Sequence, residues 1–201
     1  MLQLIVQNPL LGLLVAAVLL MSLVLHELGH ALVADWSGDP TPRQLGRITL
    51  NPLRHLDLFG TLLLLLVGFG YARPVITQPQ LYRYRWSFLA VSVAGIVVNL
   101  ILALLAVFLI RVLPFSRWLV VGLQYIFAIN VALAVFNALP IPPLDGSHIL
   151  AALIPGPLGL RLRNTTLPVL VFYLALILLL VPIQRLIGAV QGGLYAWLIA
   201  L

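Results

Sequence analysis

His26, Glu27 and His30 stand in an H-E-x-x-H pattern, His26-Glu27-Leu28-Gly29-His30. Residues four apart share one face of an α-helix, so both imidazoles can reach a single ion. Glu27 points off to the side, where it can meet a water on that ion without ligating it. Catalytic zinc takes three protein ligands and keeps a further position open. The third ligand must come from elsewhere, and the other acidic residues are Asp35, Asp39, Asp57 and Asp145. Asp35 and Asp39 follow directly after the motif, and Asp57 opens a later apolar run. Asp145 follows the break Pro140-Ile141-Pro142-Pro143-Leu144, which redirects the chain, and precedes Gly146, which lets backbone approach closely. Asp145 is the expected third ligand, for one zinc ion per chain. Zinc lowers the pKa of a bound water to about 7. Glu27 would take that proton and deliver it to a leaving amine. The chemistry is metal-assisted amide hydrolysis.

The elements that must carry these residues are membrane elements. The chain has 201 residues, 63% hydrophobic and 8% charged, with mean hydropathy +1.16. A soluble domain cannot hide that much apolar surface, so an all-α polytopic membrane protein is expected. There is no cysteine, which excludes disulfides, thiolate zinc sites and cysteine nucleophiles. The net charge of +6 comes from arginines scattered between apolar runs. That pattern fits the charge bias of loops between membrane spans, with membrane lipid as the surrounding partner, and argues against a nucleic-acid partner. The motif lies at the end of an apolar run, and ionisable groups at membrane depth call for a partner. The N-terminus has no basic region ahead of that run, so no cleaved signal peptide is expected, and residues 1–201 read as one membrane-embedded domain.

Residues 10–34 are the first expected helix, followed by a polar stretch to residue 57 rich in turn formers. Residues 59–70 are apolar but fall short of the ~20 a spanning helix needs. They are expected to re-enter, since irregular backbone at membrane depth is tolerable beside a lined cavity. Residues 87–113 and 118–139 are long enough to span, with further helices over 167–181 and 186–201. The sum is about five to six transmembrane helices with a re-entrant segment near the site. In this arrangement Arg43, Arg47, Arg54, Arg73, Arg83, Arg85, Arg161 and Arg163 share one side, and Arg111, Arg117 and Arg185 the other. The excess of positive charge makes the first side cytoplasmic. His30 then lies roughly 9 Å below that surface, at ~1.5 Å per residue, and the broken end of 118–139 carries Asp145 to the same depth. The expected location is the cell membrane, with the site toward the cytoplasm.

Asn99, Asn130 and Asn137 lie in apolar segments, where bonding between helices is the ordinary reason for asparagine. Asn137, eight residues before Asp145, has the best claim to touch a substrate. His148 reads as an interfacial histidine and His55 as a loop hydrogen-bonder rather than as ligands.

With these residues in view, the chain resembles the site-2 protease family of intramembrane zinc metalloproteases along almost its whole length. The resemblance rests on His26-Glu27-Leu28-Gly29-His30-Ala31, on Gly38-Asp39-Pro40-Thr41 and Gly46-Arg47-Ile48-Thr49-Leu50-Asn51-Pro52, and on Phe136-Asn137-Ala138-Leu139-Pro140-Ile141-Pro142-Pro143-Leu144-Asp145-Gly146. It implies His26, His30 and Asp145 as zinc ligands and Glu27 as catalytic acid/base. It also implies a transmembrane-helix substrate cut in or near the bilayer, often after an earlier cut by another protease. Two segments differ from the family pattern: Ala94-Gly95-Ile96 stands for Ala-Gly-Pro, and Gly70-Tyr71-Ala72-Arg73-Pro74-Val75 for Gly-Trp-Ala-Lys-Pro-Val. No stretch resembles the PDZ or CBS domains of larger members, as in short prokaryotic ones. A substrate helix must unwind before it can be cut, and stretches 47–50 or 75–76 could pair with it as an added strand. Two rival readings are a catalytically idle scaffold that holds membrane helices and an ion transporter. The first has no need of Glu27, and the second needs polar groups spread across the bilayer.

Overall fold

The computed structural model describes residues 2–57, 60, 62, 72–114, 116–163 and 169–200. Among them the fold is helical, with a single antiparallel bridge between Leu56 and Ala72. In chain order the helices are α1 (Leu2–Gln7), α2 (Pro9–Trp36), α3 (Thr41–Gln44), α4 (Ser87–Val112), α5 (Arg117–Asn137), α6 (Asp145–Leu153), α7 (Pro157–Arg163) and α8 (Val169–Ala200). Helices α2, α4 and α5 are each long and apolar enough to cross a membrane.

Helix α2 begins where Asn8 accepts from the Leu11 N–H and Pro9 supplies a preset φ. It ends at Trp36, two residues before Gly38, whose φ of 105° is open to glycine and strained for other residues. These signals place the first span two residues beyond the expected end.

α4 shows how the bundle meets lipid. One stripe, Val91, Gly95, Asn99, Ala103 and Ala106, is buried, while Val97, Leu100, Ile101, Leu104 and Phe108 are exposed on the other face. Both stripes are mostly apolar, so the exposed one must face hydrocarbon rather than water. α4 packs against both α2 and α5, and α2 against α5. The core where α4 and α5 meet holds Ala103, Ala106, Val107, Phe127 and Val131, with Val190, Leu194 and Tyr195 of α8 against it. Small residues let these backbones approach.

The two terminal helices expected over 167–181 and 186–201 are instead one helix, α8, with Pro182 inside it. A proline removes one ladder hydrogen bond but need not end a helix in a membrane bundle, where neighbouring groups can satisfy the freed carbonyl. Most of 59–70, the expected re-entrant segment, lies outside the described residues.

Candidate active site

Three elements converge on the H-E-x-x-H face of α2. The ring nitrogens His26 Nε2 and His30 Nε2 are 3.2 Å apart, and Asp145 Oδ2 lies 3.3 Å from the first and 3.2 Å from the second. The centre of such a triangle is about 1.9 Å from each corner, close to the ~2.0–2.2 Å of zinc–nitrogen and zinc–oxygen bonds. Both histidines are buried. His30 Nδ1 is 2.7 Å from the Val91 carbonyl, which can only accept, so Nδ1 carries the proton and Nε2 presents a lone pair. Asp145 Oδ2 is buried without a hydrogen-bond partner despite its nearness to both rings. Converging lone pairs and an orphaned carboxylate oxygen repel one another unless a cation lies between them, so the donor set fits a metal ion. Among the described residues, these three form the group that could hold one.

Close approach makes the cluster possible. A Cβ on Gly95 would fall 2.5 Å from His26 Cε1 and Nε2, and would clash with His30 Nε2 as well. Only hydrogen fits between α4 and the two rings. Asp145 opens α6, and a Cβ on Gly146 would overlap the carbonyls of Ala138 and Leu139. Gly146 therefore lets the start of α6 sit against the end of α5, which carries Asp145 to α2.

Glu27 is half-buried beside the triangle, and its Oε2 accepts from the Val75 N–H at 3.1 Å. Val75 belongs to an irregular segment, 73–78, pinned at several points. The buried Arg47 guanidinium donates to the carbonyls of Arg54, Arg73 and Pro74. The Arg73 N–H bonds the His55 carbonyl at 2.7 Å. Asp39, fully buried, accepts from the Gln78 N–H at 2.5 Å and the Thr41 N–H at 3.0 Å. Burial draws the Arg47 guanidinium below its ordinary value, with the Glu27 charge opposing that shift; so strong a base stays cationic regardless. A cleft of about 510 Å³ runs between this segment and the helices, lined by Leu23, Val75, Leu133, Phe136, Asn137 and the His26, His30 and Asp145 cluster.

The other acidic candidates are engaged elsewhere. Asp35 pairs with Arg43 at 2.6 Å, and Asp57 accepts from the Gly60 N–H at 2.9 Å. Asp39 is the loop anchor just described. His55 is buried, with Nε2 2.9 Å from the Thr49 carbonyl, as a loop hydrogen-bonder should be. His148 lies one turn beyond Asp145, edge-on to Phe88, and burial lowers its basicity. Asn137 donates to the Leu133 carbonyl at 3.0 Å and lines the cleft. Asn130 and Asn99 do join helices: Asn99 Nδ2 donates to Asn130 Oδ1 at 2.8 Å, and Asn130 Nδ2 to Ser22 Oγ at 2.9 Å. Sequence reasoning did not connect Asn99 or Gly95 to the histidines. Their signal was the spacing Val91, Gly95 and Asn99, which repeats every four residues like His26 and His30.

Apolar spanning helices around a group that could hold a metal ion, beside a glutamate, are the arrangement of a multi-pass membrane metallopeptidase. Residues 14–120 and 116–181 match Peptidase family M50. The chain is 40% identical over 179 residues to "Putative zinc metalloprotease YwhC" of Bacillus subtilis (strain 168), spanning 82% of this chain and 79% of that protein. It is 33% identical over 186 residues to Rip2 of Mycobacterium tuberculosis (strain ATCC 25618 / H37Rv), spanning 89% of this chain and 70% of the relative. Rip2 of Mycolicibacterium smegmatis (strain ATCC 700084 / mc(2)155) is 36% identical over 140 residues, which are 66% of this chain and 54% of the relative. Both Rip2 proteins carry the same zinc-metalloprotease description as YwhC. No solved structure matches this chain. The chain belongs to Peptidase family M50, the site-2 protease family, and is a zinc-dependent hydrolase of peptide bonds.

Proposed function

We propose that this protein is an intramembrane endopeptidase that cuts transmembrane-helix substrates in or near the bilayer, with His26, His30 and Asp145 holding one zinc ion and Glu27 moving the proton. The observation that carries the reading is the nearly equilateral set of two imidazole nitrogens and one carboxylate oxygen, beside a glutamate in an apolar cleft. The chemistry a bound zinc ion supplies is polarisation of the scissile carbonyl and acidification of the attacking water. Glu27 keeps its Oε2 on the Val75 N–H, which leaves Oε1 to take the proton from that water. The same carboxyl then returns the proton to the amide nitrogen as the C–N bond breaks. Asn137, which lines the cleft at the end of α5, is the proposed hydrogen-bonding partner of the substrate backbone. The apolar cleft suits an unwound stretch of membrane helix, and Ile76, with no backbone partner among the described residues, offers a free edge to pair with it.

The arginine distribution supports a cytoplasmic-side site in the cell membrane. With α8 as one helix, the reading counts four spans, α2, α4, α5 and α8, within a single domain over 1–201. Partners are the substrate helix and surrounding lipid.

The test is a purified pair, wild type and Glu27→Gln, incubated with transmembrane-helix substrates that carry Gly, Pro or Asn near the midpoint and with all-Leu counterparts. Wild type should cut the destabilised helices faster. The variant should keep zinc and lose activity by about 10²–10⁴-fold. A Glu27→Gln enzyme as active as wild type would overturn the assignment of Glu27. Cleavage of unstructured soluble peptides alone would overturn the substrate class.

A further inference from the structure

The metal-binding nitrogen of His26 depends on which ring nitrogen carries the proton, and the fold contains a device that decides it. His26 Nδ1 lies 2.6 Å from Asn99 Oδ1. Asn99 Nδ2 reaches Asn130 Oδ1 at 2.8 Å, and Asn130 Nδ2 reaches both Ser22 Oγ at 2.9 Å and the Ile126 carbonyl at 2.8 Å. Ser22, Asn99 and Asn130 are all buried, the two asparagines at 0% exposure, so their orientation is set by these protein partners. The chain of bonds leaves α2 at Ser22, crosses α5 and α4, and returns to α2 one turn later at His26.

The direction of every bond follows from one end. A backbone carbonyl can only accept, so the group of Asn130 facing Ile126 must be its NH₂. Its oxygen then faces Asn99 and demands an NH₂ there, which turns the Asn99 oxygen toward His26. Reversing either amide would set two oxygens against each other at 2.8 Å. An oxygen acceptor opposite Nδ1 requires an N–H at that atom, which leaves Nε2 bare and aimed at Asp145 and His30. His30 receives the same instruction directly from the Val91 carbonyl. One stripe of α4 thus serves both rings: Val91 orients His30, Gly95 leaves room, and Asn99 orients His26.

We propose that Asn99 is a positioning residue that fixes His26 with its proton on Nδ1, and that Asn130, anchored on the Ile126 carbonyl, sets the direction of Asn99. The proposal rests on the reading of His26, His30 and Asp145 as zinc ligands.

The test uses full-length protein in detergent, labelled with ¹⁵N-histidine and stripped of metal. Long-range nitrogen–proton correlation reports which ring nitrogen carries hydrogen. His55→Gln and His148→Gln variants remove two of the four histidine signals, and the remaining two belong to His26 and His30. Both should show a protonated Nδ1; a bare Nδ1 in either overturns the proposal. Zinc competition with a chromophoric chelator gives the second readout. Asn99→Leu should bind zinc about 10–100-fold more weakly, the range for removing a ligand-orienting partner. The double variant Asn99→Asp/Asn130→Leu, which keeps an acceptor opposite Nδ1 and removes the oxygen that would oppose the second carboxylate oxygen, should bind zinc more tightly than Asn99→Leu, a rescue that a purely packing role would not produce. Wild-type affinity in Asn99→Leu overturns the proposal, and so does a folded Asn99→Asp/Asn130→Leu as weak as Asn99→Leu. If Asn99→Leu does not fold, the proton placement in wild type still decides the matter. A wild type that binds no zinc sinks the metal-site reading, and the correlation spectrum separates that failure from this one.

Discussion

Gly95→Ala is the sharpest single perturbation of this site. A Cβ built at this position lies 2.5 Å from His26 Nε2 and Cε1 and overlaps His30 Nε2. Ordinary contacts between heavy atoms fall near 3.5–4.0 Å, so the overlap is about 1 Å. A Cβ is fixed to its helix, so either α4 backs away from α2 or both imidazoles swing. Overpacking of this kind costs roughly 1–3 kcal/mol, and replacing a mid-helix glycine returns about 0.5–1 kcal/mol. The net loss of stability is about 1–2 kcal/mol, which leaves a folded protein. The loss at the site is larger. A ~1 Å displacement is enough to lower catalysis about 10²-fold, and zinc affinity should fall at least ~10-fold. Zinc competition, cleavage of a helical reporter and thermal unfolding would be measured together. Gly122→Ala is the control, because its Cβ meets only Leu14 Cδ2 at 3.9 Å. Wild-type zinc affinity and activity in Gly95→Ala would refute the packing argument, as would equal damage from Gly122→Ala.

Arg47→Leu removes the donor shared by the Arg54, Arg73 and Pro74 carbonyls. Thermal unfolding should show a loss of about 1–3 kcal/mol, and steady-state kinetics a raised KM with zinc content unchanged. Asp39→Asn keeps one acceptor but sets an NH₂ against the Thr41 or Gln78 N–H. Hydrogen exchange should be faster at Gln78, while helix α2 keeps its protection. Chelation should abolish peptidase activity and leave the far-ultraviolet helical signal in place, because the α4–α5 core does not involve the metal group; added zinc should restore cleavage. Asn137→Ala should lower the cleavage rate about tenfold or more without changing zinc stoichiometry, the loss of one substrate-orienting bond.

Much of this was legible in the sequence because the signals were local. The H-E-x-x-H spacing fixed which face of α2 carries the histidines, and the proline-rich break marked where α5 must stop and Asp145 begin. The first span ended within two residues of its expected end, because the turn formers from Gly38 onward are a local stop. The division of 167–201 into two helices failed because Pro182 and Arg185 look like punctuation along the chain, whereas α8 continues through both. The roles of Asn99 and Gly95 were out of reach for a different reason. Asparagine in an apolar helix announces a partner, but the choice of partner depends on how α4 rotates against α2, which comes from packing across the bundle. Likewise, Asp39 was a candidate ligand by type alone. Its burial against the Thr41 and Gln78 amides makes it an anchor for the segment that holds Glu27.

The central claim is that His26, His30 and Asp145 together hold one zinc ion. It is tested most directly by metal content in detergent-purified wild type and Asp145→Ala, with folding checked by helical signal and monodisperse elution. The account predicts about one zinc per wild-type chain and loss or strong weakening in the variant. Full retention of zinc by a folded Asp145→Ala, or a folded wild type that takes up no zinc, would contradict it.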